Sequence, residues 1–476
     1  MLYLAMTRSH FYTGLFFLLP LFYYLSLPIA VGDLAVWVAH GRYILENGAI
    51  LYRDIHSVLN TEPLIYPVLV SFIYGVIDSV GGLELVSVFH KLVLMAILYI
   101  IYKNSLRHLK NPFSGINIIY ILLSFAGFAL YFTDRPALIA LLPLIISYII
   151  IEKLELVDLK TLLKLGLILV FWVNIHGSWI ILIAMLGWKI QFITNKNNIL
   201  KNAAISLALC LLTLINPFGY KVWPYLFQTA IISRLRNIDE WNVTNLHDYF
   251  PHAIFFYVTA VLVIFLVIHK IRRENNFTIL RSPAFLLLIM GFIAMRNVGL
   301  LSLILLPFLY KYNFLKEGKV GHEQKKIINF IFVVFIGALC VIATPYFRRQ
   351  FSGFLPSKKA AVYDSSAPII FVDYIKNLNN TGPILNDWEY GSYLLYSLKN
   401  PILVDARNII YSQEDYIEFA KVLEGEDSWV AGTNKYKFEF ILLDKKIRQN
   451  LIEKINFSGD WKLALENEDT ILFQRK

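Results

Sequence analysis

The sequence predicts a polytopic α-helical membrane protein with a soluble α/β domain at its C-terminal end. Three observations carry this expectation. The 476 residues are 57% hydrophobic and only 16% charged, against about a quarter charged in an ordinary soluble chain. Apolar tracts such as 11–32 (FYTGLFFLLPLFYYLSLPIAVG) and 330–347 (FIFVVFIGALCVIATPYF) reach the roughly 20 residues needed to cross hydrocarbon. Beyond about residue 350 the composition becomes that of a soluble domain. The expected boundaries are 1–348 for the membrane domain, with a first external loop at 33–84, and 349–476 for the soluble one.

The first apolar tract lacks a small-residue cleavage site and is followed by further apolar tracts, so it reads as a retained helix. The net charge of +10 does not indicate a nucleic-acid partner, because most of the excess lies in short loops between spans. Basic segments at Arg8, 103–111, 153–164, 189–201, 270–281 and 311–326 mark the cytoplasmic side under the positive-inside rule. Between them the apolar stretches are broken by TDRP at 133–136, NIHG at 174–177, NPFG at 216–219 and MRN at 295–297. Each pair of half-stretches forms a hairpin whose tip points outward. Segment 63–82 has two readings: a span, or an external helix along the membrane surface ended by Gly81-Gly82. The charge pattern favours the second, which gives eleven spans, a cytoplasmic N-terminus and an external or periplasmic C-terminal domain. Cys210 and Cys340 both fall in apolar spans, against a disulfide framework or Cys-based metal site.

In the C-terminal domain, APIIFVDYIKNL and YGSYLLYSL read as helices and GPILN as a short strand. NPILVDA and FEFILLD read as buried parallel strands, and WKLALENEDTILFQRK as a closing hairpin turning near Asn467-Glu468-Asp469. Alternating strands and helices make an α/β domain. It has no glycine-rich phosphate loop.

The candidate chemistry gathers on the external side. Asp33 follows the first span directly and is either a helix N-cap or a functional acid. Asp54 and His56 share its loop; Asp54 is either functional or a loop acid paired with Arg53. Arg135 and Arg296 stand at the TDRP and MRN breaks, where an unpaired guanidinium is costly. They either snorkel or clamp a phosphate, for which the bidentate fork is suited. His176 stands at the lip of a short helix, Asn216 reads as a helix stop, and Glu240-Trp241 suits either a sugar or an interfacial belt. A lone Asp without an adjacent acid is a poor divalent-cation site, so no metal cofactor is expected.

The order of these motifs resembles that of the GT-C-fold glycosyltransferases, which include protein O-mannosyltransferases, lipid A aminoarabinose transferases and oligosaccharyltransferases. The resemblance rests on Trp37, Gly41, Ile44, Gly48, Ile50 and Asp54, then Arg135-Pro136, Asn174 with His176-Gly177, and Asn216-Pro217 with Gly219. Glu240-Trp241, Arg296-Asn297, NDWEYGSYLLY and VDARNIIY complete it. His40 departs, falling one position later than in the branch this chain resembles. The paired acid of some relatives is absent after Asp33.

The resemblance implies a GT-C-type fold of about eleven helices with external juxtamembrane helices in the first loop. It implies transfer of a sugar from a polyprenyl-phosphate-linked donor to a glycan, lipid or protein acceptor, with inversion and without a metal. Asp33 would be the base, Arg135, Arg296 and His176 would stabilise the phosphate, and Asn297 would belong to the substrate- and phosphate-binding set. Asp54 and Glu240 would orient sugar hydroxyls, His56 and Trp241 would belong to the substrate- and phosphate-binding set, and Tyr390, Asp405 and Arg407 would be contacts from the C-terminal domain. The rivals are a ligase acting on a diphosphate-linked glycan and a transporter or flippase of lipid-linked sugars. The chain shows no internal repeat of the kind transporters carry.

Overall fold

The structure is a computed structural model that describes residues 2–51, 54–59, 66–109, 112–113, 115–156, 158–193, 199–245, 252–275, 277–315, 362–407, 410–426 and 429–476. It divides into two compact units, the first built from 1–27 and 88–348 and the second from 28–87 and 349–476. The loop 28–87, expected with the helical segment, is counted instead with the C-terminal segment.

The first unit is helical. It contains α1 (Leu2–Ser26) and, beyond the intervening loop, the second half of α3 (Val68–Ile101). Next come α4 (Gly115–Phe128), α5 (Pro136–Glu152), α6 (Leu159–Val173), α7 (Ile180–Ile193) and α8 (Ile199–Leu212). Helices α9 (Val222–Leu235), α10 (His252–Glu274), α11 (Ala284–Ile293) and α12 (Val298–Lys311) follow. Helix α12 is apolar and buried from Val298 to Leu309, the pattern of a helix enclosed by others. It packs against α4, α5, α10 and α11. Small residues allow the α4–α12 approach: a Cβ on Gly127 would lie 2.0 Å from Ser302 Oγ, and Ser124 donates to the Ser302 carbonyl at 2.7 Å.

Two described helices, Val68–Leu106 and Ala253–Glu274, are long and apolar enough to cross a membrane, and six more apolar helices of 10–17 residues accompany them. Apart from Ala253–Glu274, most of the half-stretches expected as spans form helices shorter than a full crossing, and the expected last span at 330–347 lies outside the described residues. At the helix ends remote from the TDRP, NIHG and MRN turns, Ser282 and Tyr312 donate to Glu152 at 2.6 and 2.7 Å. The turns therefore gather at one end of these helices and a buried carboxylate ties the other.

The second unit is α/β. It begins with α2 (Val31–Asn47), closed by Gly48 in the left-handed conformation, and the first part of α3. The C-terminal segment supplies α13 (Ile369–Asn377), β1 (Ile384–Asn386) and α14 (Trp388–Ser397). It continues with α15 (Gln413–Leu423), α16 (Trp429–Lys435), β2 (Phe440–Asp444), α17 (Gln449–Ser458), β3 (Trp461–Glu466) and β4 (Thr470–Arg475). The sheet order is β1-β2-β4-β3, with β1 parallel to β2 and the other pairs antiparallel. Side chains alternate across it: Ile441, Leu443 and Phe473 face α15–α17, while Phe440, Leu442 and Leu472 face α13, α14 and Ala39 of α2.

Helices α13 and α14, the short strand β1, the strand β2 and the final hairpin match expectation, but the parallel partner of β2 is β1, where NPILVDA was expected. NPILVDA does not become a regular strand. Residues 401–404 run beside β1 with single bridges at Ile402. The backbone ladder is limited to Ile384 N with Pro401 O at 2.8 Å and Leu403 N with Ile384 O at 3.0 Å; beyond it the carboxamide of Asn386 takes over, accepting from Leu403 N at 3.0 Å and donating to Val404 O at 2.8 Å.

Helix α2 also departs from expectation. A juxtamembrane helix on the surface was expected, but its residues Val31, Leu34, Ala35, Val36, Val38, Ala39, His40 and Gly41 are buried, and it packs against α14. Its crossing with the first part of α3 is made by glycines, since a Cβ on Gly41 would meet Ser71 O at 1.9 Å and the Gly75 backbone at 2.7 Å. Asp78 does not interrupt α3. It takes hydrogen bonds from Arg42 and from Tyr396 on α14. The helix breaks at Gly81-Gly82, where Gly82 has φ 68° and ψ −170°, a conformation that side-chain-bearing residues avoid.

Gly41→Ala should therefore lower the unfolding free energy of the detergent-solubilised protein by about 1–3 kcal/mol, read as a shift of the denaturant midpoint at unchanged slope.

Candidate functional site

In the helical unit the break motifs converge. Pro136 occupies the first turn of α5 and fixes its start, with Arg135 extended just before it. Helix α11 ends at Ile293, and the turn Met295–Asn297 carries Arg296 into α12. The loop after α9 is tied to this turn by the Met295 N to Asn242 O bond at 3.0 Å. Arg234 reinforces it, donating to Trp241 O at 3.3 Å and Ile293 O at 3.1 Å.

These turns bring four predicted residues together. Arg135 Nη1 lies 3.1 Å from Glu240 Oε1, both side chains about 40% exposed. The Arg296 guanidinium lies 4.2 Å from the centre of the half-buried Trp241 ring, a cation–π contact. Tyr131 donates to the Arg296 carbonyl. Among the described residues no carboxylate pairs with Arg296, so its fork of donors remains available.

His176 is half-buried in the NIHG turn and feels the charge of Arg296. Its Nδ1 accepts from Ser178 N at 3.1 Å, which fixes a neutral imidazole with the proton on Nε2. Asn174 joins this turn to the next, donating to Ile215 O at 2.8 Å. Asn216 spends its amide on its own turn, donating to Thr213 O and Gly219 O at 2.6 and 3.0 Å and accepting from Phe218 N at 2.8 Å. It is a helix stop. Asn297 likewise donates to Met290 O at 3.2 Å.

The neighbour of Arg135 went unnoticed in the sequence. Asp134 is buried, 3.0 Å from Lys91 Nζ and 2.9 Å from Tyr24 OH. The only signal was a charged residue, Lys91, inside an apolar helix.

The remaining predicted residues belong to the α/β unit. Asp33 is half-buried in the first turn of α2, where the helix dipole favours a carboxylate. It is not the cap: Ala30 is, without a side-chain bond. Asp54 is fully buried and lies 3.1 Å from Arg407 Nη2. Its carboxylate is engaged by a cation from the C-terminal segment, while Arg53 lies outside the described residues. Arg407 also donates to Asp405 through Nε at 2.9 Å and Nη2 at 2.6 Å, and its Nη1 approaches His40 Nε2 at 3.4 Å. Tyr411 donates to Asp405 at 3.1 Å. Tyr390 is buried and hydrogen-bonded to Thr470 at 2.9 Å. Tyr390, Asp405 and Arg407, expected as contacts for a substrate, are thus interior groups with internal partners.

Burial and then the Arg407 charge depress both imidazoles here, His40 well below its ordinary value and His56 less so. Burial alone would raise Asp405, but Arg407 outweighs it and holds the carboxyl below its usual range. Among the described residues no three His, Cys, Asp or Glu side chains form a metal-binding group.

A bundle of short apolar helices with polar turns at one end, joined to a mixed α/β unit that includes the first loop, defines a GT-C fold. No protein-family model and no curated protein matches the sequence. Solved structures do match the fold. ArnT from Cupriavidus metallidurans, in a crystal structure bound to undecaprenyl phosphate, aligns over 97% of both chains at 10% identity with a TM-score of 0.55. The apo oligosaccharyltransferase of Archaeoglobus fulgidus aligns over 90% of this chain and 69% of its own at 10% identity, with a TM-score of 0.52.

Folded His40 and His56 stay neutral where the unfolded histidines, near pKa 6.5, take up protons. The unfolded state then binds more protons below that pH. Stability should be level above about pH 6.5 and fall as pH drops below it, and His40→Leu should flatten the fall in denaturant titrations.

Proposed function

We propose that this protein is a multi-pass membrane glycosyltransferase that transfers a sugar from a polyprenyl-phosphate-linked donor to an acceptor hydroxyl on the external face. The observation that carries this is Arg296, stacked on Trp241 beside Arg135 and Glu240, with no described carboxylate to neutralise it. An arginine held flat by an aromatic ring offers planar, bidentate donors suited to a phosphate oxygen. The likeness in fold to a protein crystallised with undecaprenyl phosphate supports a lipid phosphate as the anion.

The chemistry assigned is a single displacement. The acceptor oxygen attacks the anomeric carbon as its proton passes to the Asp33 carboxylate. The bond from the anomeric carbon to the phosphate oxygen breaks, its electron pair stays on the phosphate, and the configuration inverts. Arg296 and Arg135 stabilise the charge that develops there, and His176 offers a neutral Nε2–H donor. Glu240, ion-paired with Arg135, orients that arginine and sugar hydroxyls within its reach. The step as written needs no metal ion.

Asp33→Asn should abolish transfer while leaving binding of polyprenyl phosphate within about twofold, and Arg296→Ala should lower kcat by about 10²–10³. Radiolabelled transfer and lipid-binding assays on the purified protein measure both. Transfer retained in Asp33→Asn removes the base, and transbilayer movement of lipid-linked sugar without product identifies a transporter instead.

The basic segments support a cytoplasmic position for residues 103–111 under the positive-inside rule. A cysteine introduced at Lys103 should be blocked only by reagents that enter the cell, and modification by an impermeant maleimide overturns that topology.

A further inference from the structure

We infer that the C-terminal segment takes part in the reaction by holding α2 in place, with Arg407 as the positioning residue for Asp33. This rests on the proposal that Asp33 is the base.

Helix α2 is attached to the C-terminal segment on both sides of its catalytic candidate. Just before it, Ile29 N donates to Val362 O at 3.0 Å and Asp364 N donates to Ile29 O at 3.1 Å, so the chain entering α2 is fixed four residues ahead of Asp33. Two turns further on, His40 meets Arg407. Positions 33 and 40 lie seven apart on one helix face, about 10 Å along its axis. Arg42 then stacks on Tyr396 at 4.1 Å and donates to its hydroxyl at 2.7 Å.

Arg407 is the member that reaches every part. Its guanidinium joins Asp405 of its own segment to Asp54 of the first loop and His40 of α2. The same loop is held by its backbone, Ile402 N donating to His56 O at 2.9 Å and Val58 N to Ile402 O at 3.1 Å. The Arg407 side chain is 4% exposed and those of Asp54 and Asp405 are 0% exposed. A buried cation between two carboxylates has little freedom to shift, so it registers α2 against the sheet. Substrate cannot reach it, and its influence passes through the helix.

The test compares Asp33→Asn with Arg407→Lys, which keeps the charge and loses the fork. Folded protein is counted by its binding of polyprenyl phosphate, so that loss of fold and loss of rate are read separately. Arg407→Lys should lower kcat per folded molecule by about tenfold to a hundredfold, the scale of a small misplacement, with the donor KM within twofold. The acid limb of its pH–rate profile should move, and Asp33→Cys should react with a maleimide at a different rate in the Arg407→Lys background.

A purely structural role would reduce only the number of folded molecules. If Arg407→Lys does not fold, His40→Leu, which severs the α2 contact alone, carries the same readouts. Unchanged kcat, pH profile and Asp33→Cys reactivity in the folded variant overturn the inference. If Asp33→Asn is inactive in that case, the base assignment stands and only the positioning role falls; if Asp33→Asn is active, the base assignment fails.

Discussion

The α/β unit depends on one buried cation. Arg407 lies between Asp405 and Asp54 with almost no exposure, and α2 and the loop after it meet the C-terminal segment, some 350 residues later, at its guanidinium. Removing three charges from water is costly, and such a group adds little net stability over an apolar replacement of equal volume. What it supplies is discrimination. Any other arrangement of these segments leaves at least one charge buried without a partner, a penalty of roughly 3–5 kcal/mol. The internal donors of Tyr411 and the Arg407 backbone complete the carboxylate shell.

The helical unit solves the opposite problem. Its interior is apolar, centred on α12, and its polar groups are confined to helix ends. Backbone freed where a helix stops inside an apolar bundle must find partners, and the turns provide them. Asn174, Asn216, Thr244 and Asn297 each donate to a nearby carbonyl. With backbone groups satisfied in this way, side chains such as Arg135 and Arg296 project from turns that are already ordered. A stacked, preorganised guanidinium needs little rearrangement when an anion arrives.

Much of this was legible in the sequence, for identifiable reasons. The breaks TDRP, NIHG and MRN announced themselves as polar residues within apolar runs, and the structure gathers them. Two of the C-terminal helices, α13 and α14, and the hairpin followed from periodicity and turn residues. The roles of Asp54, Asp405 and Arg407 did not, because local pattern cannot tell an exposed carboxylate from one neutralised by an arginine some 350 residues away. The strand at 401–404 was overread for a similar reason: an asparagine side chain displaced the ladder. Helix α2, expected as a juxtamembrane element, is buried instead because its polar residues His40 and Arg42 take partners from the far end of the chain.

The composition of the α/β unit from 28–87 and 349–476 has a consequence for biosynthesis. The first loop leaves the ribosome long before the segment that buries it. At about 5–20 residues per second, roughly tens of seconds pass in which the apolar face of α2, with Asp54 and His40, has no sheet to pack on. During that interval the loop is a nascent segment awaiting its other half. Synthesis must run nearly to Arg475 before β4 can pair with β2.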